Sequence, residues 1–182
     1  MVKQLQESKR LVIDASVLRA AGGIDRRDET SSRCSRFLQA VLDICHRVVL
    51  TPEIESEWNR HVTEFSFSYQ WREDMTSRRK FQREKETRDP DLRRCIENAA
   101  QNDEDVHLIE AAQYGDRIVV SLDKRARNRF NNAAKTVEAI RGIIWVIPSE
   151  TEGGTVAWLA NGCPVDEVPS LGEETDRPDD RS

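Results

Sequence analysis

The chain has 182 residues, 37% of them hydrophobic and 34% charged, and 33 acidic against 28 basic side chains give a net charge of −5. That length suits one domain with its own core. No apolar run reaches the roughly 20 residues of a membrane-spanning helix. The opening "MVKQLQESKR" leads into no secretory signal either, so a cytoplasmic protein away from membranes is expected.

Residues 1–9 read as an N-terminal extension. "RLVID" then predicts a first buried strand over 10–14 that ends on an acid, Asp14. "SSRCSRFLQAVLDICH" places Phe37, Leu38, Val41, Leu42 and Cys45 at helical spacing, with Ser31 or Ser32 as the expected cap. "RVVL" predicts a second strand. Thr51 caps the next helix, with Pro52 at its first position, and that helix is expected to run to about Glu64.

The charged, aromatic-spotted segment 65–89 reads as helical, with Trp71, Met75 and Phe81 on its inner side. Its large side chains, Phe65, Phe67, Tyr69, Trp71, Met75 and Phe81, exceed what a small sheet domain is expected to cover. A homodimer through this surface is therefore expected. "PDLRRCIENAAQ" and "DEDVHLIEAAQYG" predict two further helices, "DRIVVSLD" a strand, "KRARNRFNNAAK" a short helix, "GIIWVIP" the last strand and "GGTVAWLANG" a small closing helix. The stretch 166–182 carries seven acids against two arginines and little to bury, which predicts a disordered acidic tail behind a domain spanning 10–165. Four scattered cysteines form no C-x-x-C pair and suit reduced thiols rather than zinc.

Short, wholly apolar strands alternating with helices predict an α/β fold, a mostly parallel central sheet with helices on both faces. In such sheets, sites form beyond the carboxyl ends of the strands. Asp14 and Asp123 end two strands at that edge. Asp105 and Glu57 lie in the first turns of helices that begin there. Four carboxylates brought together repel one another. Hard divalent cations, Mg²⁺ or Mn²⁺, relieve that repulsion and take oxygen ligands. Paired ions of this kind serve phosphodiester hydrolysis.

Each acid has rivals. Glu53 shares the face of Glu57, Glu55 points elsewhere, and Asp103 is a candidate outer acid beside Asp105. Asp116 reads as a turn acid on the far side of the sheet. His46 reads as structural, His61 as a possible substrate contact, and His107 as turned away from Asp105. Lys124, Arg125, Arg127 and Arg129 follow Asp123 directly and are candidates for neutralising substrate phosphates.

With these pieces in place the chain resembles the PIN-domain ribonucleases, which include toxin nucleases of bacterial and archaeal toxin–antitoxin pairs. The resemblance runs from residue 10 to about 148 and rests on four motifs. "VIDASVL" resembles the first, with Asp14 as metal ligand and Ser16 as the neighbouring hydroxyl. "LTPEIESEW" resembles the second, its acid falling on Glu57. "DEDVHLIEAA" resembles the third, with Asp105. "DRIVVSLDKRA" resembles the fourth, with Asp123 and, at the usual threonine or serine position, Ser121. The resemblance implies a three-layer PIN-like sandwich, Mg²⁺- or Mn²⁺-dependent RNA cleavage, a homodimer and a protein antitoxin. The segment 65–89 and the acidic tail depart from the compact toxin pattern. A nuclease acting on DNA, and a non-catalytic RNA-binding or protein-interaction module, are the competing expectations.

Overall fold

The computed structural model describes residues 7–100, 104–150 and 154–173. Its elements, in chain order, are β1 (Arg10–Ile13), α1 (Ala15–Ala20), α2 (Glu29–Asp43), β2 (Arg47–Leu50), α3 (Pro52–His61), α4 (Phe67–Ser77) and β3 (Phe81–Arg83). Then follow α5 (Pro90–Ala100), α6 (Val106–Gln113), β4 (Ile118–Val120), α7 (Lys124–Ala133), β5 (Ile144–Val146) and α8 (Gly154–Ala160). The five strands form one parallel sheet in the order β3-β2-β1-β4-β5.

The strand sequences explain the layering. Leu11, Val12 and Ile13 in β1 and Val119 and Val120 in β4 have no exposed surface, so both sheet faces are covered. Parallel crossovers are right-handed, so the steps β1→β2→β3 and β4→β5, running in opposite directions across the sheet, put their helices on opposite faces. The packing follows. Helix α1 lies against α2 and α3, and α2 against α4 and α8; α6 covers β1, β2 and β4 while α5 packs on α7. The protein is a three-layer α/β sandwich with a parallel sheet at its centre.

Between β1 and β4 the chain reverses its direction of travel across the sheet. That reversal opens a crevice beyond the carboxyl ends of the two strands, where ligands of such folds bind. Asp14 closes β1 at this point, and Asp123 lies just past β4.

Several expectations need correction. Segment 65–89 is not one helical stretch. Helix α4 stops at Ser77, the chain turns through Arg79 at φ 54°, and Phe81–Arg83 pairs with β2 as an edge strand. One phenylalanine among charged residues gives no strand signal; pairing with Val48, Val49 and Leu50 makes the strand.

The aromatic side chains of this segment are also largely used inside the chain. Trp58, Trp71 and Phe81 form one cluster with ring centroids 6.0–6.2 Å apart. The Trp71 indole donates to the Leu38 carbonyl at 2.7 Å, and Met75 is fully buried. Phe65 stands out, at 86% exposure. The surplus apolar area behind the homodimer expectation is therefore much smaller than the residue list implies.

Helix α2 begins at Glu29, before Ser31 and Ser32, because the Asp28 carboxylate accepts from the Ser31 amide at 2.7 Å. The Ser31 hydroxyl instead accepts from the Gly22 amide. Helix α3 ends at His61 rather than Glu64.

The acidic tail is not disordered throughout. Leu171 is 2% exposed, its amide donates to the Ile143 carbonyl at 2.8 Å, and Ser170 bridges Ile144 antiparallel. One leucine finds a slot beside β5, a detail that average composition conceals. The rest of the predicted tail, 174–182, lies outside the described residues.

His46 is structural, as expected. It is fully buried, takes the Lys9 amide at Nδ1 and meets the Leu159 carbonyl through Nε2 at 2.8 Å. Cys34, Cys45, Cys95 and Cys163 form no disulfide among the described residues. Among the described residues no helix is long and apolar enough to cross a membrane.

Candidate functional site

Asp14 continues the β1–β4 ladder, its amide donating to the Val120 carbonyl at 2.9 Å. It occupies the N-cap position of α1 yet makes no capping bond. Its Oδ2 instead accepts from two hydroxyls, Ser16 Oγ and, at 2.8 Å, Ser121 Oγ. Those hydroxyls accept in turn from the amides of Leu122 and Asp123, both at 3.1 Å. Ser16 and Ser121 thus stitch the end of β1 to the turn after β4 and hold the Asp14 carboxylate in one orientation.

Asp123 caps α7, its Oδ1 accepting from the Ala126 amide at 2.8 Å. A capping carboxylate keeps its second oxygen for other partners. Asp105 sits at the N-cap position of α6 without a capping bond and is half-buried. Its carboxyl is pushed above the ordinary range, first by burial and then by the charges of Asp14 and Asp123, against the pull of His107 and Arg129. Asp14 and Asp123 are therefore both within electrostatic reach of Asp105. Arg129 meets Asp105 at 3.1 Å, whereas Asp14 and Asp123 enter no ion pair among the described residues.

Glu57 stands differently. Its Oε2 lies 3.2 Å from His107 Nε2, and the hydrogen bond with His107 holds its carboxyl below the usual range against the opposing effect of burial. Burial pulls the His107 imidazole down, but the bond and charge of Glu57 outweigh it and the ring ends above its ordinary value. Its Nδ1 lies 3.0 Å from the Glu104 carbonyl. His107 also interacts electrostatically with Asp105. The expectation that His107 turns away from Asp105 does not include its contact with Glu57: the ring is buried and spans from the Glu104 carbonyl to Glu57. Helix α3 is placed by its own tryptophan, since Trp58 Nε1 donates to the Ile13 carbonyl at 3.1 Å, one residue before Asp14.

The rival acids have other partners. Glu55 pairs with Arg83 at 3.0 Å and Glu53 approaches Arg93 at 3.6 Å. Asp116 binds Arg10, at the amino end of β1, which fits its reading as a turn acid. Asp103 lies outside the described residues. His61 is exposed at the end of α3.

The basic stretch after Asp123 is less free than its sequence implies. Lys124 and Arg127 both pair with Glu150, at 3.1 and 3.0 Å, and Arg129 is held by Asp105. Arg125 is exposed and unpaired among the described residues.

Sequence reasoning missed Glu110 altogether. Its side chain is fully buried in α6 and takes Arg93 in a fork, at 2.8 and 2.6 Å, together with the Asp89 amide. A signal was present. In "VHLIEAA" every residue is buried, and His107 and Glu110 are the two polar ones. Buried polar groups need partners.

Compared with known proteins, the chain matches no family model, no curated protein and no solved structure at a significant level. Among the described residues no three His, Cys, Asp or Glu side chains are already arranged to hold a metal ion. The donor chemistry nevertheless suits one. The aspartates offer hard oxygen ligands at a sheet crevice, and Asp105 registers the repulsion of the other two.

Proposed function

We propose that the chain is a PIN-like, metal-dependent endoribonuclease that hydrolyses RNA phosphodiester bonds. The observation that carries this reading is the gathering of Asp14, Asp105 and Asp123 at the β1–β4 crevice. There the Asp105 carboxyl is raised first by burial and then by the charges of Asp14 and Asp123, and Arg129 approaches it at 3.1 Å. The resemblance of the four motifs around Asp14, Glu57, Asp105 and Asp123 points the same way.

In this reading Asp14, Asp105, Asp123 and Glu57 hold Mg²⁺ or Mn²⁺. Bound there, one or two such ions supply Lewis acidity and an activated water for attack on the scissile phosphate. Ser16 and Ser121 orient the Asp14 carboxylate through its Oδ2. Arg125 is the member of the basic stretch ready to meet a phosphate. Lys124, Arg127 and Arg129 contribute only as Glu150 and Asp105 release them.

Cleavage of a mixed RNA pool with Mn²⁺ or Mg²⁺ tests the reading, with a DNA pool beside it. Wild type is expected to cut RNA and Asp14→Asn to lose the activity while keeping its melting temperature. RNA left intact by the wild type with both metals would overturn it. The resemblance implies two further partners, a second copy of the chain and an antitoxin protein. Light scattering at micromolar concentration checks the first, against a monomer mass of 20.9 kDa.

A further inference from the structure

Of the four proposed ligands, Glu57 and Asp105 take no fixing bond from a strand end or helix cap, and Asp105 is met instead by Arg129. Asp14 is locked by the β1–β4 ladder and two hydroxyls, and Asp123 by its cap. Glu57 hangs from α3 on three rotatable bonds, with a third of its side chain exposed. Left alone it would sample many rotamers, and ordering it would cost entropy each time a cation bound.

His107 removes that freedom. The Glu104 carbonyl can only accept, so His107 Nδ1 carries the hydrogen of that bond, and the ring plane is thereby set. Nε2 is then aimed at Glu57 Oε2, 3.2 Å away, and donates to it when the ring carries a hydrogen on both nitrogens. The imidazole is 7% exposed and has little room to turn. Helices α3 and α6 belong to opposite faces of the sheet and meet at this contact, so the pair clasps the two outer layers at the edge that carries Asp14.

We propose that His107 is a positioning residue that holds Glu57 at the carboxyl edge of the sheet as a ready ligand for a hard divalent cation. The proposal rests on the reading of Glu57 as a metal ligand. It reverses the common arrangement in which histidine ligates and a carboxylate orients it. Here the carboxylate ligates and the histidine orients.

The test is Mn²⁺ affinity, measured by calorimetry on the full chain, with urea unfolding run on every variant. Glutamine at 107 places an amide nitrogen near the position of Nε2, whereas asparagine reaches only to Nδ1. His107→Asn is expected to weaken Mn²⁺ binding about tenfold. Glu57→Gln should do the same, and the double variant should be no worse than Glu57→Gln alone. His107→Gln should stay within about threefold of wild type.

Wild-type affinity in His107→Asn would overturn the proposal, as would effects of His107→Asn and Glu57→Gln that multiply. Loss of urea stability in both His107 variants with unchanged Mn²⁺ affinity would make the clasp a structural one and also overturn it. Asp14→Asn separates the two levels. If it weakens Mn²⁺ binding while His107→Asn does not, the metal site stands and the positioning role falls. If the wild type binds no Mn²⁺, both fall.

Discussion

The carboxyl edge of the sheet has two halves that treat negative charge in opposite ways. On the α3–α5–α6 side three acids are matched by a cation or imidazole from another helix: Glu57 by His107, Glu110 by Arg93, Glu53 by Arg93 as well. On the β1–β4 side Arg129 meets Asp105 alone, and Asp105, raised first by burial, also feels the charges of Asp14 and Asp123. The gathered charge works against folding there, although the cap by Asp123 and the hydroxyl bonds to Asp14 work for it. Charge held in place by two serines and a strand ladder is what the proposed cation site requires.

The largest expected effect would sharpen the contrast from the paired side. Glu110 has no exposed side-chain surface, and Arg93 meets both of its oxygens. Arg93→Ala leaves a buried carboxylate without its partner, which should cost about 3–5 kcal/mol in urea unfolding. Glu110→Gln should cost less, because it leaves Arg93, 15% exposed, the partial company of Glu53. Equal and small losses in both would mean that this half is no better compensated than the other.

The second effect compares the halves directly. Asp14 is fixed by backbone and hydroxyls, so Asp14→Asn removes a ligand that is already in position. A loss of about a hundredfold in Mn²⁺ affinity is expected, against about tenfold for Glu57→Gln. The reverse order would put the centre of the site on the helical side.

The two halves also differ in how far the sequence reveals them. Asp14 and Asp123 are placed by local chemistry: an apolar run ends, an acid follows, and a parallel sheet sends both to one edge. Strand, acid and serine are contiguous in "VIDAS" and "SLD", and the reading holds for where they sit. Glu57 and His107 lie 50 positions apart on different helices, and no local pattern pairs them. Arg93 and Glu110 are likewise joined only by tertiary packing. Edge strand β3 escaped notice because β2 creates it. Leu171 escaped because one buried side chain does not change the composition of an acidic run. The candidate acids and the two serines beside them are legible in the sequence, whereas the partners that restrain Glu57 and Glu110 are not.

A third effect is a pH dependence on the unpaired side. Asp105 is raised above its ordinary value, burial first and neighbouring charge second. Between its unfolded and folded values, the folded protein holds a proton that the unfolded chain has released. Stability therefore falls as pH rises through that window. Asp105→Asn should remove this contribution, so the variant gains on wild type at pH 7 and loses the advantage below the ordinary carboxylate range. Arg129→Ala should deepen the fall in wild-type background. Urea midpoints measured from pH 3 to pH 8 decide it. An Asp105→Asn curve parallel to wild type would show that the aspartates do not repel appreciably.

The smallest effect concerns the cations around the edge. Three of the four basic residues after Asp123 are already in ion pairs, and Arg125 is the exposed exception. On the other flank a cavity of about 400 Å³ beside α3 is lined by Pro52, Glu53, Lys85, Glu86, Thr87 and Arg88. Lys85 and Arg88 there are exposed and unpaired among the described residues. A phosphate contact contributes about 0.7 to the slope of log affinity against log salt for single strands. A pre-paired arginine contributes less, because it must first give up its carboxylate. Arg125→Ala should therefore lower the slope for single-stranded RNA by up to about 0.7, and Arg127→Ala by clearly less. Lys85→Ala with Arg88→Ala tests whether the strand continues over the paired half. A slope unchanged by that double variant would confine the RNA to the side of the aspartates, where charge is left for a cation to bridge.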